Sequence, residues 1–135
     1  MSNVANYAAA AMLNTLNRSA VTAPAGAFVG LSTGNPSAAS FLGEIGTAYI
    51  AGYTRVQASW NAAVAGTPYT CFNLSNMTFG TFLTACNISG IGVVDALGAT
   101  GAGNLVWYGT LANPRAITAG DSLIIAASAL TSMIS

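Results

Sequence analysis

The chain has 135 residues, of which 53% are hydrophobic and 4% are charged, and its formal net charge is zero. An ordinary globular domain carries about 25% charged residues. Without a basic field the chain is a poor ligand for nucleic-acid phosphates, and its apolar content argues against disorder. The length fits one domain with a hydrophobic core.

Six charged side chains are distributed over the whole sequence, and the chain has neither lysine nor histidine. They are Arg18, Glu44, Arg55, Asp95, Arg115 and Asp121. A folded monomer of this size has a surface of about 6,500 Å². So few charges, with no net charge, provide little repulsion against association. We therefore expect other subunits to cover much of the exterior, in a homo-oligomer for which a trimer is the working hypothesis.

The high hydrophobic content raises the question of a membrane segment. A spanning helix needs about 20 consecutive apolar residues, and the uncharged stretch 56–94 is interrupted by glycine, proline and asparagine. The first residues also lack the basic region of a secretory signal. We therefore expect no membrane partner and no nucleic-acid partner.

Residues 3–17 have apolar side chains at helical spacing, with Ser2 or Asn3 as the candidate N-cap. An isolated helix of this length is marginal in water, so it must dock on its own domain or on a neighbour. We expect a helical arm over residues 1–22 and a β-sandwich over residues 27–135, within one domain. Three helix residues are candidate inter-subunit contacts: Tyr7, Met12 and Leu16.

From residue 27 onward, short runs of β-branched and aromatic residues alternate with glycine, proline and asparagine. The predicted strands are 27–32, 53–60, 70–76, 88–97 and 104–111, followed by 122–127 and 129–134 as one long strand or two short ones. Residues 35–52 are predicted to form a loop with one helical turn around residues 41–44. The strands do not alternate with helices. This pattern predicts a mainly β fold, an antiparallel, jelly-roll-like β-sandwich with a short N-terminal helix.

Turn signals separate the later strands. The glycine-rich segment 98–103 supplies the left-handed backbone conformations of a hairpin between strands 88–97 and 104–111. Further turns are predicted at residues 113–115 and 119–121.

The residues needed for catalysis are almost absent. Without histidine or lysine, a serine or cysteine nucleophile has no ordinary base. A zinc site would need histidine or more than the two cysteines, Cys71 and Cys86. These are either two buried reduced thiols or a disulfide between neighbouring strands. We therefore expect no enzyme activity, no catalytic or metal-binding residues and no cofactor.

Two further residues complete the candidate inter-subunit contacts, Phe41 and Arg55. The simplest interpretation of Arg55 is a solvated or ion-paired side chain. The alternative is an ion pair with an acid of a neighbouring subunit, which would fix the register between subunits.

Four segments resemble a family of small bacteriophage virion proteins that are often described as tail-fibre-like. They are FVGLSTGNP at 28–36, AGYTRV at 51–56, VVDA at 93–96 with GNLVWYGTL at 103–111, and NPR at 113–115 with AGDSL at 119–123. The chain departs from the family pattern at 37–50, which lacks acidic and glycine-rich composition, and at 67–85, which is longer. The resemblance implies a virion structural protein without catalytic residues.

The chain contains no repeats or heptads that would build a fibre shaft. This favours a capsid decoration, or cement, protein that oligomerises on the capsid exterior and stabilises the shell by binding the major capsid protein or other virion proteins. The alternative is a tail, collar or fibre-associated structural protein with an adhesion role. Both hypotheses place the chain in the virion, on the capsid surface or on the tail.

Overall fold

The computed structural model describes residues 2–17, 26–66, 69–98 and 101–134. Within these ranges the chain forms one helix and nine strands. In chain order they are β1 (Ser2–Val4), α1 (Asn6–Asn17), β2 (Ala27–Ser32), β3 (Val56–Ala58), β4 (Tyr69–Phe72), β5 (Met77–Phe79), β6 (Cys86–Val94), β7 (Leu105–Ile117), β8 (Leu123–Ile125) and β9 (Thr131–Ile134).

The strands form two layers around one core. Five of them build an antiparallel sheet in the order β1-β7-β6-β2-β3, while β4 pairs with β9 and β5 pairs with β8. Val29, Leu31 and Val93 from the large sheet share a buried cluster with Met77 and Phe79 from a small sheet. The predicted mainly β, antiparallel fold with one N-terminal helix is confirmed. The second described layer consists of two separate two-stranded sheets and not one continuous sheet.

The N-terminal segment begins as a strand. Residues 2–4 pair with β7, so that Ser2 lies opposite Gly109 and Val4 opposite Trp107. The helix starts only at Asn6, and the proposed N-caps Ser2 and Asn3 are therefore wrong. The first residues therefore belong to the large sheet, and the helix follows them.

The β6–β7 hairpin is the longest pairing of the large sheet and confirms the predicted hairpin. Gly101 and Gly103 in the connection have φ angles of +88° and +74°. Only glycine adopts such angles without a steric cost. Residues 99 and 100 of the predicted turn lie outside the described residues.

The predicted turn at residues 113–115 is a bulge within β7. Thr110 pairs with Gly90, and pairing resumes with Arg115 opposite Ile88. Four residues of β7 therefore face one residue of β6. Pro114 has no N–H to donate and suits this unpaired position. The regular pairing is interrupted near the predicted position, but the strand continues in the same direction and the chain does not turn.

Two other predictions were wrong in detail. The helical turn around residues 41–44 is absent, because Gly43 has a φ of +68° and Glu44 forms an isolated bridge with Ser32. The strand predicted over residues 53–60 is a strand only at Val56–Ala58, and Trp60 forms an isolated bridge with Asn73. Tyr53 and Arg55 are buried and alternate with exposed Thr54 as expected. Their side chains, however, form hydrogen bonds with Glu44.

The C-terminal segment forms two short strands, β8 and β9, which is one of the two predicted arrangements. They are separated near Ser128, a non-glycine residue with a φ of +63°. The strand predicted at 70–76 corresponds to β4. Strand β5 was not predicted, although its buried–exposed–buried pattern is that of a half-buried strand.

On the outer face of the large sheet, two facing glycines leave the backbone without side chains, and we call this area the Gly30–Gly92 floor. Gly30 and Gly92 are partners on β2 and β6. A Cβ atom at either position would lie 2.7 Å from the nearest atom of the Phe41 ring. The two glycines therefore let the loop after β2 pack directly on the sheet through Phe41.

Gly92→Ala is expected to lower the free energy of unfolding by about 1–3 kcal/mol, because the new methyl group overlaps the Phe41 ring. Urea denaturation provides the measurement. Gly80→Ala is the matched control, since its Cβ would meet only Ile50 at 3.7 Å, and we expect a change within about 0.5 kcal/mol. Equal losses in the two variants would contradict the role given to Gly92.

Candidate functional site

A buried ion pair holds the loops on the outer face of the large sheet. Arg55 Nε donates to Glu44 Oε1 and Nη2 donates to Glu44 Oε2, both at 2.7 Å. The two side chains are only 2% and 1% exposed. Two parallel bonds from a planar guanidinium to a carboxylate give this contact a fixed geometry.

The same guanidinium also fixes the β6–β7 connection. Arg55 Nη1 donates to the carbonyl oxygens of Ala96 at 3.0 Å and Ala102 at 2.6 Å. Both carbonyls belong to the segment that joins the two long strands. Arg55 therefore connects the Glu44 loop, the chain before β3 and the tip of the longest hairpin.

Tyr53 extends this network into the sheet. Its hydroxyl donates to Glu44 Oε1 and accepts from the Leu31 backbone N–H, each at 3.3 Å. Burial raises the pKa of Tyr53 well above its ordinary value, and the Glu44 carboxylate adds to the increase. The tyrosine is therefore a neutral hydrogen-bonding group at this site.

Two of the candidate inter-subunit contacts, Arg55 and Phe41, lie at this site. The structure gives Arg55 partners within its own chain, in agreement with the simpler interpretation and not with an ion pair across subunits. Phe41 is half-buried on the Gly30–Gly92 floor. The sequence contained the signal for the Glu44 pair, because a chain with three acids offers Arg55 few partners.

Asp95 joins the two ends of the β6–β7 connection through Asn104, on the side where the helix lies. Its carboxylate accepts from the Asn104 backbone N–H at 2.6 Å and from the Asn104 amide at 2.9 Å. The Tyr7 hydroxyl also bonds to Asp95. Partial burial raises the pKa of Asp95, but the hydrogen bonds from Asn104 and Tyr7 outweigh it and hold the pKa below its usual value. Tyr7 thus links α1 to the hairpin of its own chain.

Asp121 and Arg115 lie on the exposed surface. Asp121 accepts hydrogen bonds from the Thr118 hydroxyl at 2.7 Å and the Thr118 N–H at 3.0 Å, which lower its pKa, and Arg115 lowers it further. Arg18 lies outside the described residues. The charges of the described residues therefore fix local structure and leave little ionic character on the exterior.

Helix α1 presents an apolar stripe to the exterior. Its buried contacts with the domain are made by the start of the helix, where Ala5 and Ala8 are buried. The exposed side carries Ala9, Met12, Leu13 and Leu16 at the spacing of one helix face, which we call the helix stripe. Leu13 is 60% exposed and Leu16 is 80% exposed. Met12 and Leu16, two of the candidate contacts, therefore lie exposed on the surface, whereas Tyr7, which is 42% exposed, lies on the opposite side of the helix.

Neither cysteine forms a disulfide. Cys71 and Cys86 are free thiols and half-buried, and burial raises the pKa of Cys86. Among the described residues, no three histidine, cysteine, aspartate or glutamate side chains come together in a group that would hold a metal ion. No described helix combines the length and the apolar character that a membrane crossing requires.

The fold and the site define a mainly β structural protein whose ionic groups hold its own loops in place. The chain matches a family model described as "Podophage GP4 fiber I protein gp80" over residues 3–133 and therefore belongs to this family. The resemblance to tail-fibre-like virion proteins is confirmed. No curated protein matches the chain. Membership in a phage fibre family supports a virion location and a structural, non-enzymatic role.

Arg55→Ala is expected to lower the free energy of unfolding by about 3–5 kcal/mol, because it leaves the Glu44 carboxylate buried without its partner. Glu44→Gln, which keeps the shape of the side chain, should also destabilise the protein. The control is Arg115→Ala, an exposed arginine for which we expect a loss within about 1 kcal/mol. Chemical denaturation measures all three variants. Similar losses for Arg55→Ala and Arg115→Ala would contradict the assignment.

Stability is expected to fall in acid through Asp95. Its pKa is lower in the folded protein than in the unfolded chain, where it is about 3.9. The contribution of Asp95 is therefore complete above this value and is lost as the pH falls from it through the lower pKa of the folded protein. Asp95→Asn should destabilise the protein at pH 6 and have a smaller effect at pH 3, as measured by urea denaturation. An equal effect at both pH values would argue against this role.

Proposed function

We propose that this protein is a non-enzymatic, self-associating structural subunit of a phage fibre or of its attachment to the tail. The observation that carries the proposal is the family match over residues 3–133, which covers nearly the whole chain. It favours the fibre-associated hypothesis over capsid decoration. The antiparallel β-fold and the scarcity of charge agree with a subunit that works inside an assembly.

Self-association is supported by the surface of the chain. Large apolar side chains of the described residues are exposed, among them Leu13 at 60% and Leu16 at 80%. The helix stripe projects these leucines into solvent. Apolar burial is therefore the proposed driving force of assembly.

The oligomer is proposed to be closed and symmetric, with a trimer as the specific expectation. Homo-oligomers with cyclic symmetry bury equivalent surfaces on every subunit. A ring also multiplies weak contacts into avidity when it binds a second virion protein. Such a subunit would remain on the particle through many small apolar contacts.

Capsid decoration remains the second candidate function. The described residues build a single sandwich-like body without the repeats of a fibre shaft, and this observation favours a cement protein over a long fibre. In that case the partner is the major capsid protein. The subunit would stabilise the shell because it binds the assembled form.

The number and position of the copies in the virion distinguish the two candidates. We expect copies that follow the symmetry of the tail, at most a few dozen, located at the tail by antibody labelling in electron microscopy. A decoration protein would be present in hundreds of copies over the capsid, and this result would move the assignment to the capsid. Absence of the protein from purified virions would contradict both.

A further inference from the structure

An apolar groove runs between the two layers of the sandwich. Its floor is formed by three side chains of the large sheet, Ile91, Trp107 and Leu111, and its wall by Ile125 and Leu130 of the opposite layer. The described residues that line this part, about 260 Å³ in volume, carry no charge. We call it the sheet groove.

The sheet groove continues into a wider depression of about 800 Å³. Ile91, Leu111, Ile125 and Ala129 line both parts, so the two form one continuous surface. Its far end carries the exposed charges Arg115 and Asp121. Beside the groove, strand β1 pairs with β7 only at Trp107–Gly109, and the opposite layer is divided into two short sheets.

The helix stripe is a matching surface on the same chain. Helix α1 has 12 residues and is therefore about 18 Å long. Its exposed side chains Met12, Leu13 and Leu16 carry no charge, like the floor of the groove. The apolar character of the stripe suits the open part of the sheet groove.

The stripe does not fill the groove of its own chain. The helix begins on the outer side of the large sheet, where Asn6 and Tyr7 share a cavity with Phe41, Glu44 and Arg55. The groove faces the other side, where Ile91 and Trp107 pack against the core. The two surfaces therefore lie on opposite sides of the sheet, and each stays exposed in one copy.

We propose that the helix stripe of one copy binds in the sheet groove of a second copy. This inference rests on the self-association of the proposed function and specifies its geometry. The contact joins two different surfaces, so the copies are arranged head to tail. Such contacts close into a ring when the rotation between copies permits it, and a trimer is one such ring. The recognition mode is an amphipathic helix in an apolar groove.

The occupant is taken to be a second copy because both surfaces occur in one chain, and neither the stripe nor the floor of the groove carries a charge. A charged foreign partner would find no opposite charge on the groove floor.

The test uses one variant for each surface. Leu13→Ser with Leu16→Ser removes the stripe. Ala129→Arg places a guanidinium in the groove from an exposed position, and Thr110→Arg is a second groove variant that also starts from an exposed residue. Sedimentation analysis measures the mass of each protein over a range of concentrations. We expect each variant to raise the apparent dissociation constant at least about tenfold and to become monomeric at concentrations where the wild type is assembled.

Mixing the variants identifies the geometry. A stripe variant keeps its groove and a groove variant keeps its stripe, so an equimolar mixture retains one productive contact for each pair. We expect the mixture to form one-to-one dimers and nothing larger. Dimers in the mixture, with monomers in each separate sample, would be the signature of the head-to-tail contact.

Matched controls separate this contact from general effects of the substitutions. Leu74→Ser with Leu83→Ser removes two leucines that are 54% and 55% exposed but lie outside both surfaces. Ala51→Arg adds an arginine at another exposed position. Both controls should assemble like the wild type, and thermal melting should show that all variants are folded.

Three outcomes would overturn the inference. If only the stripe variant is monomeric, the helices pack against one another, and self-association remains supported. If both variants assemble like the wild type, another surface carries the association. If the wild type itself is monomeric at every concentration, the self-association in the proposed function fails as well.

Discussion

The ion pair of Arg55 with Glu44 joins three segments that the described strand ladders leave unconnected. Glu44 follows the turn at Gly43, Arg55 precedes β3, and the carbonyls of Ala96 and Ala102 belong to the β6–β7 connection. Burying two charges is costly unless the partners are complete. Here the planar fork of arginine bonds to the other two segments at once, which a lysine ammonium would not reproduce. The outer face is therefore fixed by directional bonds and the inner face by apolar packing.

The internal use of charge determines what kind of surface remains. Glu44 and Arg55 are buried, and Asp95 and Asp121 are bound by neighbours of their own chain. Association of such a surface receives little electrostatic steering and depends little on salt. Such association depends on complementary shape and on the apolar area that is buried, and both take effect only when the two surfaces touch. This suits a subunit that is incorporated once into a particle and stays there, and it is a poor basis for rapid exchange between partners.

The sequence predicts those elements whose signals are local. The hairpin was found because Gly101 and Gly103 meet a conformational need that few other residues satisfy. The break near Pro114 was also found, but whether it is a turn or a bulge depends on the renewed pairing of Arg115 with Ile88, which lies outside the local segment. Strand β1 has only three residues and exists because β7 offers it an edge. The Glu44 pair and the sheet groove depend on contacts between distant segments, and a periodic pattern carries no information about them.

The free edge of β7 bears on how such a protein associates. Beyond Gly109 the outer edge of this strand is unpaired among the described residues, and an open edge invites the addition of another strand. The bulge at residues 111–114 interrupts the regular ladder there, Pro114 removes a donor, and Arg115 places a charge beside it. These features disfavour strand addition along most of the exposed edge. Association then depends on side-chain surfaces such as the helix stripe and the sheet groove. A head-to-tail contact of this kind fixes the orientation of the subunits, and it fixes their number when the rotation between copies closes a ring.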